Sequence, residues 1–89
     1  MEFTHEQNRI YLLDNDKTLA EVTFPNIDSD TVDIDHTFVD GSLRGQGVAD
    51  KLLESVAAEL DSQNKKAVLT CSYAVKWFEK HPEYSKLLK

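Results

Sequence analysis

The sequence predicts an α+β fold in which antiparallel strands lead into a βαβ crossover and a short helix closes the chain. Three observations carry the prediction. Two extended runs flank the turn-forming segment Asp14-Asn15-Asp16-Lys17, a third extended run precedes a long amphipathic stripe, and a short, almost continuously apolar run follows it. The chain has 89 residues, room for a single domain over 1–89 with one sheet and two helices. A chain of this size buries roughly 60 to 65% of the surface its unfolded form exposes, so its core is thin and its stability modest.

The first run, Gln7 to Leu13, contains Arg9-Ile10-Tyr11-Leu12-Leu13 and reads as a strand; Thr18 to Phe24 completes a hairpin. Alternation puts Ala20, Val22 and Phe24 on one face of the second arm and Leu19, Glu21 and Thr23 on the other. Pro25-Asn26 breaks the ladder, because proline has no N–H to donate to it. After the acidic connection Asp28-Ser29-Asp30, a third strand is expected over Thr31 to Val39. Its alternation places Val32, Ile34, His36 and Phe38 on an apolar side and Thr31, Asp33, Asp35, Thr37 and Val39 on the opposite one.

Asp40-Gly41-Ser42 is a loop with Ser42 as a local cap, and the long helix is expected from about Gly45 to Ser62. Its stripe is Val48, Ala49, Leu52, Leu53, Val56, Ala57 and Leu60, at spacings of three and four, while Lys51, Glu54, Ser55 and Asp61 face water. The polar exit Asp61 to Lys66 leads to Ala67-Val68-Leu69-Thr70-Cys71, an apolar strand of the kind that is usually central and buried on both faces. Strand, helix and strand form a right-handed crossover, which makes the two strands parallel. Val75 to Lys80 is a last helix limited by Pro82, and Leu87-Leu88-Lys89 either docks or frays.

Composition excludes several classes of function. No apolar run approaches the roughly 20 residues of a membrane span, and Met1 to Glu6 lacks the basic start and apolar middle of a signal peptide. A soluble, cytoplasmic protein is expected. The single cysteine, Cys71, cannot form an internal disulfide, in keeping with a reducing compartment. With three scattered histidines it gives no metal-ligand spacing, so no metal is expected. The net charge is −6 with acidic residues spread along the chain, which argues against nucleic acid as a partner and favours cationic ones such as amines.

The run Arg44-Gly45-Gln46-Gly47-Val48-Ala49 carries the chemistry. Two glycines sit where a strand ends and an amphipathic helix begins, and free N–H groups at a helix start attract anions. Gly45 and Gly47 remove Cβ atoms that would obstruct a pyrophosphate, and Arg44 adds a fixed positive charge. A nucleoside-triphosphate loop would need Lys and then Ser or Thr where Val48-Ala49 stands. A dinucleotide fingerprint would need a small residue where Asp50 stands, and an acid at the end of the next strand, where Thr70-Cys71 stands. An ordinary surface turn is the competing account of the same letters. Open parallel sheets bind ligands beyond the C-terminal ends of their strands, and the topology brings Phe38-Val39, the Arg44 to Ala49 loop and Cys71-Ser72-Tyr73 to that edge.

An Arg, two spacers, a Gly, one spacer and a small residue at a helix start, after a strand ending Thr37-Phe38-Val39, resembles the acetyl-CoA motif of the GNAT N-acetyltransferase superfamily. The chain is similar in particular to its short stand-alone members, whose tail pairs a strand-terminal Cys and a Tyr with an aromatic helix and a Pro-aromatic segment. Cys71-Ser72-Tyr73, Trp77-Phe78 and His81-Pro82-Glu83-Tyr84 match that tail. The resemblance spans nearly the whole chain and implies a compact GNAT-like fold with splayed parallel strands, with acetyl-CoA as cosubstrate and an amine as acceptor. It further implies that the main chain of Phe38 and Val39 binds pantetheine and that Gly45, Gln46, Gly47, Val48 and Ala49 hold the pyrophosphate beside Arg44.

By the same resemblance Cys71 lies near the thioester and Tyr73 protonates the departing thiolate. Taken alone, Cys71 is more often an inert small hydrophobe with no neighbouring base, and Tyr73 at least as readily a packed aromatic. His36 falls on the buried side unless a bulge re-aims the strand, which leaves Asp33 and Asp35 as candidate bases on a solvated face. Trp77, His81 and Tyr84 are expected to close the core. Direct transfer to an amine ranks ahead of a route through acetyl-Cys71. Full-length relatives carry extra N-terminal helices that shape the acceptor pocket, whereas here the hairpin passes straight to the central strand, which implies either an open acceptor site suited to a protein or peptide amine or one that is hardly formed. A non-catalytic CoA-binding module is the rival function, and a cysteine hydrolase using Cys71 and His81 a distant third.

Overall fold

The computed structural model describes residues 2–89; Met1, where the Met1 to Glu6 segment begins, lies outside the described residues. Strand β1 (Thr4–Glu6) turns through Gln7-Asn8 into β2 (Arg9–Asp14), and β2 turns through Asn15-Asp16 into β3 (Lys17–Thr23). Tight hairpin turns need positive φ, which Asn and Asp tolerate: Asn8 has φ 62°, Asn15 49° and Asp16 68°. The expected hairpin is present. Strand β1 adds an arm in front of it, and its three exposed residues carry no apolar alternation that could announce it.

The expected third strand is two strands in two sheets. β4 (Thr31–Ile34) pairs parallel with β6 (Lys66–Leu69), while β5 (His36–Val39) pairs antiparallel with β3. Asp35 lies between them. Its N–H donates to the Thr23 carbonyl at 3.3 Å, and His36 is also the ladder partner of Thr23, so two residues oppose one. The Asp35 carboxylate holds this bulge by accepting from Thr23 Oγ1 at 2.6 Å. One extra residue reverses the alternation: Thr37 and Val39 stand opposite Val22 and Ala20, on the core face. His36 and Phe38 therefore turn outward, Phe38 being 40% exposed, and the expectation that they share the buried side with Val32 and Ile34 is corrected.

Helix α1 (Val48–Ser62) lays Val48, Leu52, Leu53, Val56, Ala57 and Leu60 into one core with Ile10, Ala20, Val22, Val32 and Ile34. It ends where expected but starts at Val48 rather than Gly45, because Gly45 and Gly47 take φ +82° and +72°, outside the helical region. β6 is an edge strand rather than a central one. β4 covers one side, among the described residues the other carries only a bridge from Ala67 to Leu88, and Val68 and Leu69 are half-buried. The C-terminal segment docks there, with Leu87 buried and Lys89 N–H donating to the Ala67 carbonyl at 3.0 Å.

Helix α2 (Ser72–Lys80) begins three residues before the expected Val75, so Tyr73 belongs to its first turn; a 3₁₀ segment, Pro82–Leu87, follows. The two parallel strands part beyond Ile34. Thr70 and Cys71 N–H both donate to the Ile34 carbonyl, at 3.2 and 3.1 Å, after which β5 follows β3 and the chain of β6 turns into α2. Among the described residues no helix is long and apolar enough to cross a membrane.

Candidate functional site

Where the sheets part there is a cavity of about 320 Å³. Its lining comes from β5 and the turn after it (Thr37, Val39, Leu43), from the loop residues Arg44, Gly45 and Gly47, from the first turn of α1 (Val48, Ala49, Asp50), and from the exposed Tyr73 at its rim. A larger and more polar depression of about 440 Å³, among His5, Glu59 and Gln63, lies at the other end of α1 and contains none of the motif residues.

The loop between β5 and α1 is built by a cap. Asp40 accepts from Ser42 N–H at 3.0 Å and from Ser42 Oγ at 2.6 Å, which starts a 3₁₀ turn over Gly41–Leu43; Asp40, not Ser42, is the cap. These bonds hold the Asp40 carboxyl below its ordinary value of 3.8, the Ser42 hydroxyl first among the causes and Lys17 adding to it. A lowered carboxyl stabilises the fold above its unfolded value and loses that contribution as pH falls through the folded one. Acidification below about pH 4 is therefore expected to release the turn, seen as an upfield shift of the Ser42 amide proton in an NMR titration and absent in Asp40→Ala.

Gly47 caps α1 in the left-handed conformation and supplies no side-chain bond, so the N–H groups of Val48, Ala49 and Asp50 have no intrahelical acceptor. A Cβ built at Gly45 or Gly47 would meet nothing within 4 Å. The glycines are thus required for backbone conformation, and the space beside them is open. Gly47→Ala is expected to cost about 1 to 2 kcal/mol of stability through αL strain alone, measurable by urea unfolding.

Tyr73 is 43% exposed at the cavity rim. Desolvation first, and the nearby Asp50 charge second, hold its phenol above its ordinary value of 10.0, so it is protonated at neutral pH. Cys71 is half-buried, its Sγ 3.6 Å from Thr37 Oγ1 across the parted strands, and it does not line the cavity. His81 is engaged elsewhere, its Nδ1–H donating to the Trp77 carbonyl at 2.7 Å and its Nε2 3.4 Å from Asp50 Oδ1, so no Cys71–His81 hydrogen bond forms among the described residues. Trp77 is buried and stacks on His81 and Tyr84, closing the core as expected.

The structure therefore gathers Val39, Arg44, Gly45, Gly47, Val48, Ala49 and Tyr73 around one cavity. Gln46 turns away, its side-chain amide donating to the Ser42 carbonyl at 3.4 Å, and the Phe38 ring lies on the opposite face of β5. Asp33 accepts from Thr70 Oγ1 at 2.8 Å and Asp35 from Thr23, and neither reaches the cavity. Thr37, Leu43 and Asp50 are cavity residues that sequence reasoning missed. Thr37 was hidden by the bulge. Asp50 had a signal, since the third position of a helix is where acidic side chains meet the free N–H groups.

A helix opening between parted strands of an α+β scaffold has the architecture that the GNAT resemblance implied. A family model described as GCN5-related N-acetyl-transferase matches residues 9–87, and the chain belongs to that family. The NMR structure of a GCN5-like protein from Staphylococcus aureus is 35% identical and superposes with a TM-score of 0.83 over 99% of this chain and 87% of that one. A GNAT family acetyltransferase from Elizabethkingia anophelis, crystallised with acetyl-CoA bound, shares the fold at a TM-score of 0.62 and 18% identity. That match covers 85% of this chain and 51% of the other. No curated protein matches the sequence.

Proposed function

We propose that the chain, working as a single domain over residues 1–89, is an acetyl-CoA-dependent N-acetyltransferase that moves an acetyl group to an amine. The observation that carries this is the uncapped start of α1, opening beside Arg44 onto a largely apolar cavity between the parted sheets. N–H groups of Gly45, Gly47, Val48 and Ala49 suit a pyrophosphate, with Arg44 countering its charge, while the Gln46 N–H donates to the Leu43 carbonyl at 3.3 Å. Among the described residues β5 is the last strand of its sheet, and since Asp40 N–H bonds inward to the Leu19 carbonyl at 2.7 Å, alternation turns the backbone N–H and C=O of Val39 outward, where they suit the amides of pantetheine, while those of Phe38 face β3.

The thioester of acetyl-CoA supplies the activated acetyl group. Tyr73, protonated and at the cavity rim, donates its proton to the departing thiolate as the amine bonds to the acetyl carbon. Direct transfer is preferred to a route through Cys71, which lies off the cavity and has no base beside it. The net charge of −6 and the exposed sheet face carrying His36 and Phe38 favour a cationic protein or peptide amine in the cytoplasm.

One observation favours the non-catalytic alternative, a CoA-binding module. Asp50 is the carboxylate that lines the cavity, and it is already bound by Trp77 and faces His81, so the deprotonation of the amine falls to water. Release of CoA, followed with a thiol reagent over a panel of amines and lysine peptides, decides between the two. Turnover above background supports the transferase; acetyl-CoA binding without turnover on any acceptor supports the module.

A further inference from the structure

Asp50 is the third residue of α1 after the Gly47 cap. A carboxylate there ordinarily folds back onto N–H groups at the start of its own helix, as the reciprocal half of a capping box. Those are the groups that suit the pyrophosphate, so a free Asp50 side chain competes with the cosubstrate for them. The side chain is held. Trp77 Nε1–H donates to Asp50 Oδ1 at 2.6 Å, and His81 Nε2 lies 3.4 Å from the same oxygen, a contact that adds to the hold when the ring carries a proton on both nitrogens, since Nδ1–H is given to the Trp77 carbonyl.

The two holding groups are themselves fixed. The His81 ring stacks on the indole with centroids 4.0 Å apart and donates from Nδ1 to the Trp77 carbonyl, and Tyr84 stacks against the indole at 5.5 Å. Tyr73, Trp77 and His81 follow one another at spacings of four, so one side of α2 carries both the rim phenol and the groups that grip Asp50. The grip crosses 27 residues of sequence and joins α2 to the first turn of α1.

We propose that Trp77 and His81 are positioning residues that act through Asp50: they draw its carboxylate away from the opening of α1 and so keep the N–H groups there available to the pyrophosphate of acetyl-CoA. The inference rests on the acetyl-CoA assignment above. It differs from a direct contact between Asp50 and the cosubstrate, which would make removal of the carboxylate harmful. Here its removal is harmless to binding, and its release is what harms.

Amide hydrogen exchange in the ligand-free protein, resolved by NMR at Gly47, Val48 and Ala49, reads the grip independently of acetyl-CoA. Trp77→Phe keeps an aromatic ring and removes the donor; exchange at Gly47 and Val48 should slow by about fivefold, the worth of one capping bond. The double variant Asp50→Ala with Trp77→Phe should restore fast exchange. Acetyl-CoA titrations should run in parallel, with affinity about fivefold weaker in Trp77→Phe, and both Asp50→Ala and the double variant at least as tight as the native chain. His81→Phe keeps the stacked ring and loses the Nε2 contact, and should slow exchange in the same direction by a smaller factor, which preserves the test if Trp77→Phe does not fold. Unchanged exchange in both single variants, or slowing that persists without Asp50, overturns the proposal. Native protein that shows the exchange pattern yet does not bind acetyl-CoA overturns the cosubstrate assignment and leaves the grip supported.

Discussion

Tyr73→Phe is expected to lower kcat for acetyl transfer by about a hundredfold while changing acetyl-CoA affinity by less than about twofold. The ring stays at the cavity rim and only the hydroxyl is lost, so the effect falls on proton donation to the leaving thiolate. Because desolvation and Asp50 hold the phenol above 10.0, the activity that depends on it should persist through neutral pH and fall only at strongly alkaline pH. Steady-state kinetics on the native chain and the variant measure both quantities. An unchanged kcat would assign the proton to solvent, and a parallel loss of affinity would mark Tyr73 as a packing residue.

The second large effect is on stability. Leu53 is fully buried on α1, in the core that joins the helix to both sheets, and Leu53→Ala is expected to cost about 2 to 5 kcal/mol. Against a total of about 5 to 15 kcal/mol for a domain, that is a large share, and this small chain has little to spare. Urea unfolding should show the midpoint falling steeply, while Glu54→Ala, on the exposed side of the same turn, stays within about 0.5 kcal/mol. A loss below about 1 kcal/mol for Leu53→Ala would mean that the core closes around the gap.

The parts of the fold that were legible in the sequence are those set by local periodicity. The hairpin around Asn15-Asp16, the stripe from Val48 to Leu60 and the crossover to β6 all follow from alternation, helical spacing and turn chemistry. The bulge at Asp35 left only a faint trace, the polar run Asp35-His36-Thr37 that interrupts the alternation of Thr31 to Ile34, and the extra residue itself shows only in its pairing with Thr23. That single residue decides which side chains of β5 line the cavity, so the expected faces of Thr37 and Val39 were reversed along with those of His36 and Phe38.

The glycine motif was legible as the start of a helix but not as its cap. The helix expected from about Gly45 begins at Val48, because Gly45 and Gly47 take positive φ. β6 misled by its apolar composition, since in so small a sheet the C-terminal Leu88 stands where a neighbouring strand would. Asp50 was missed as a site residue because its partners, Trp77 and His81, are distant in sequence and meet it only when α2 packs on α1.

The central claim is that the uncapped start of α1 holds the pyrophosphate of acetyl-CoA, and titration calorimetry of the native chain beside Gly47→Trp tests it most directly. The native protein should bind acetyl-CoA saturably at one site, and Gly47→Trp, shown to be folded by circular dichroism, should not, because its side chain fills the open space at the cap. No saturable binding by the native protein, or equal binding by the variant, would contradict it.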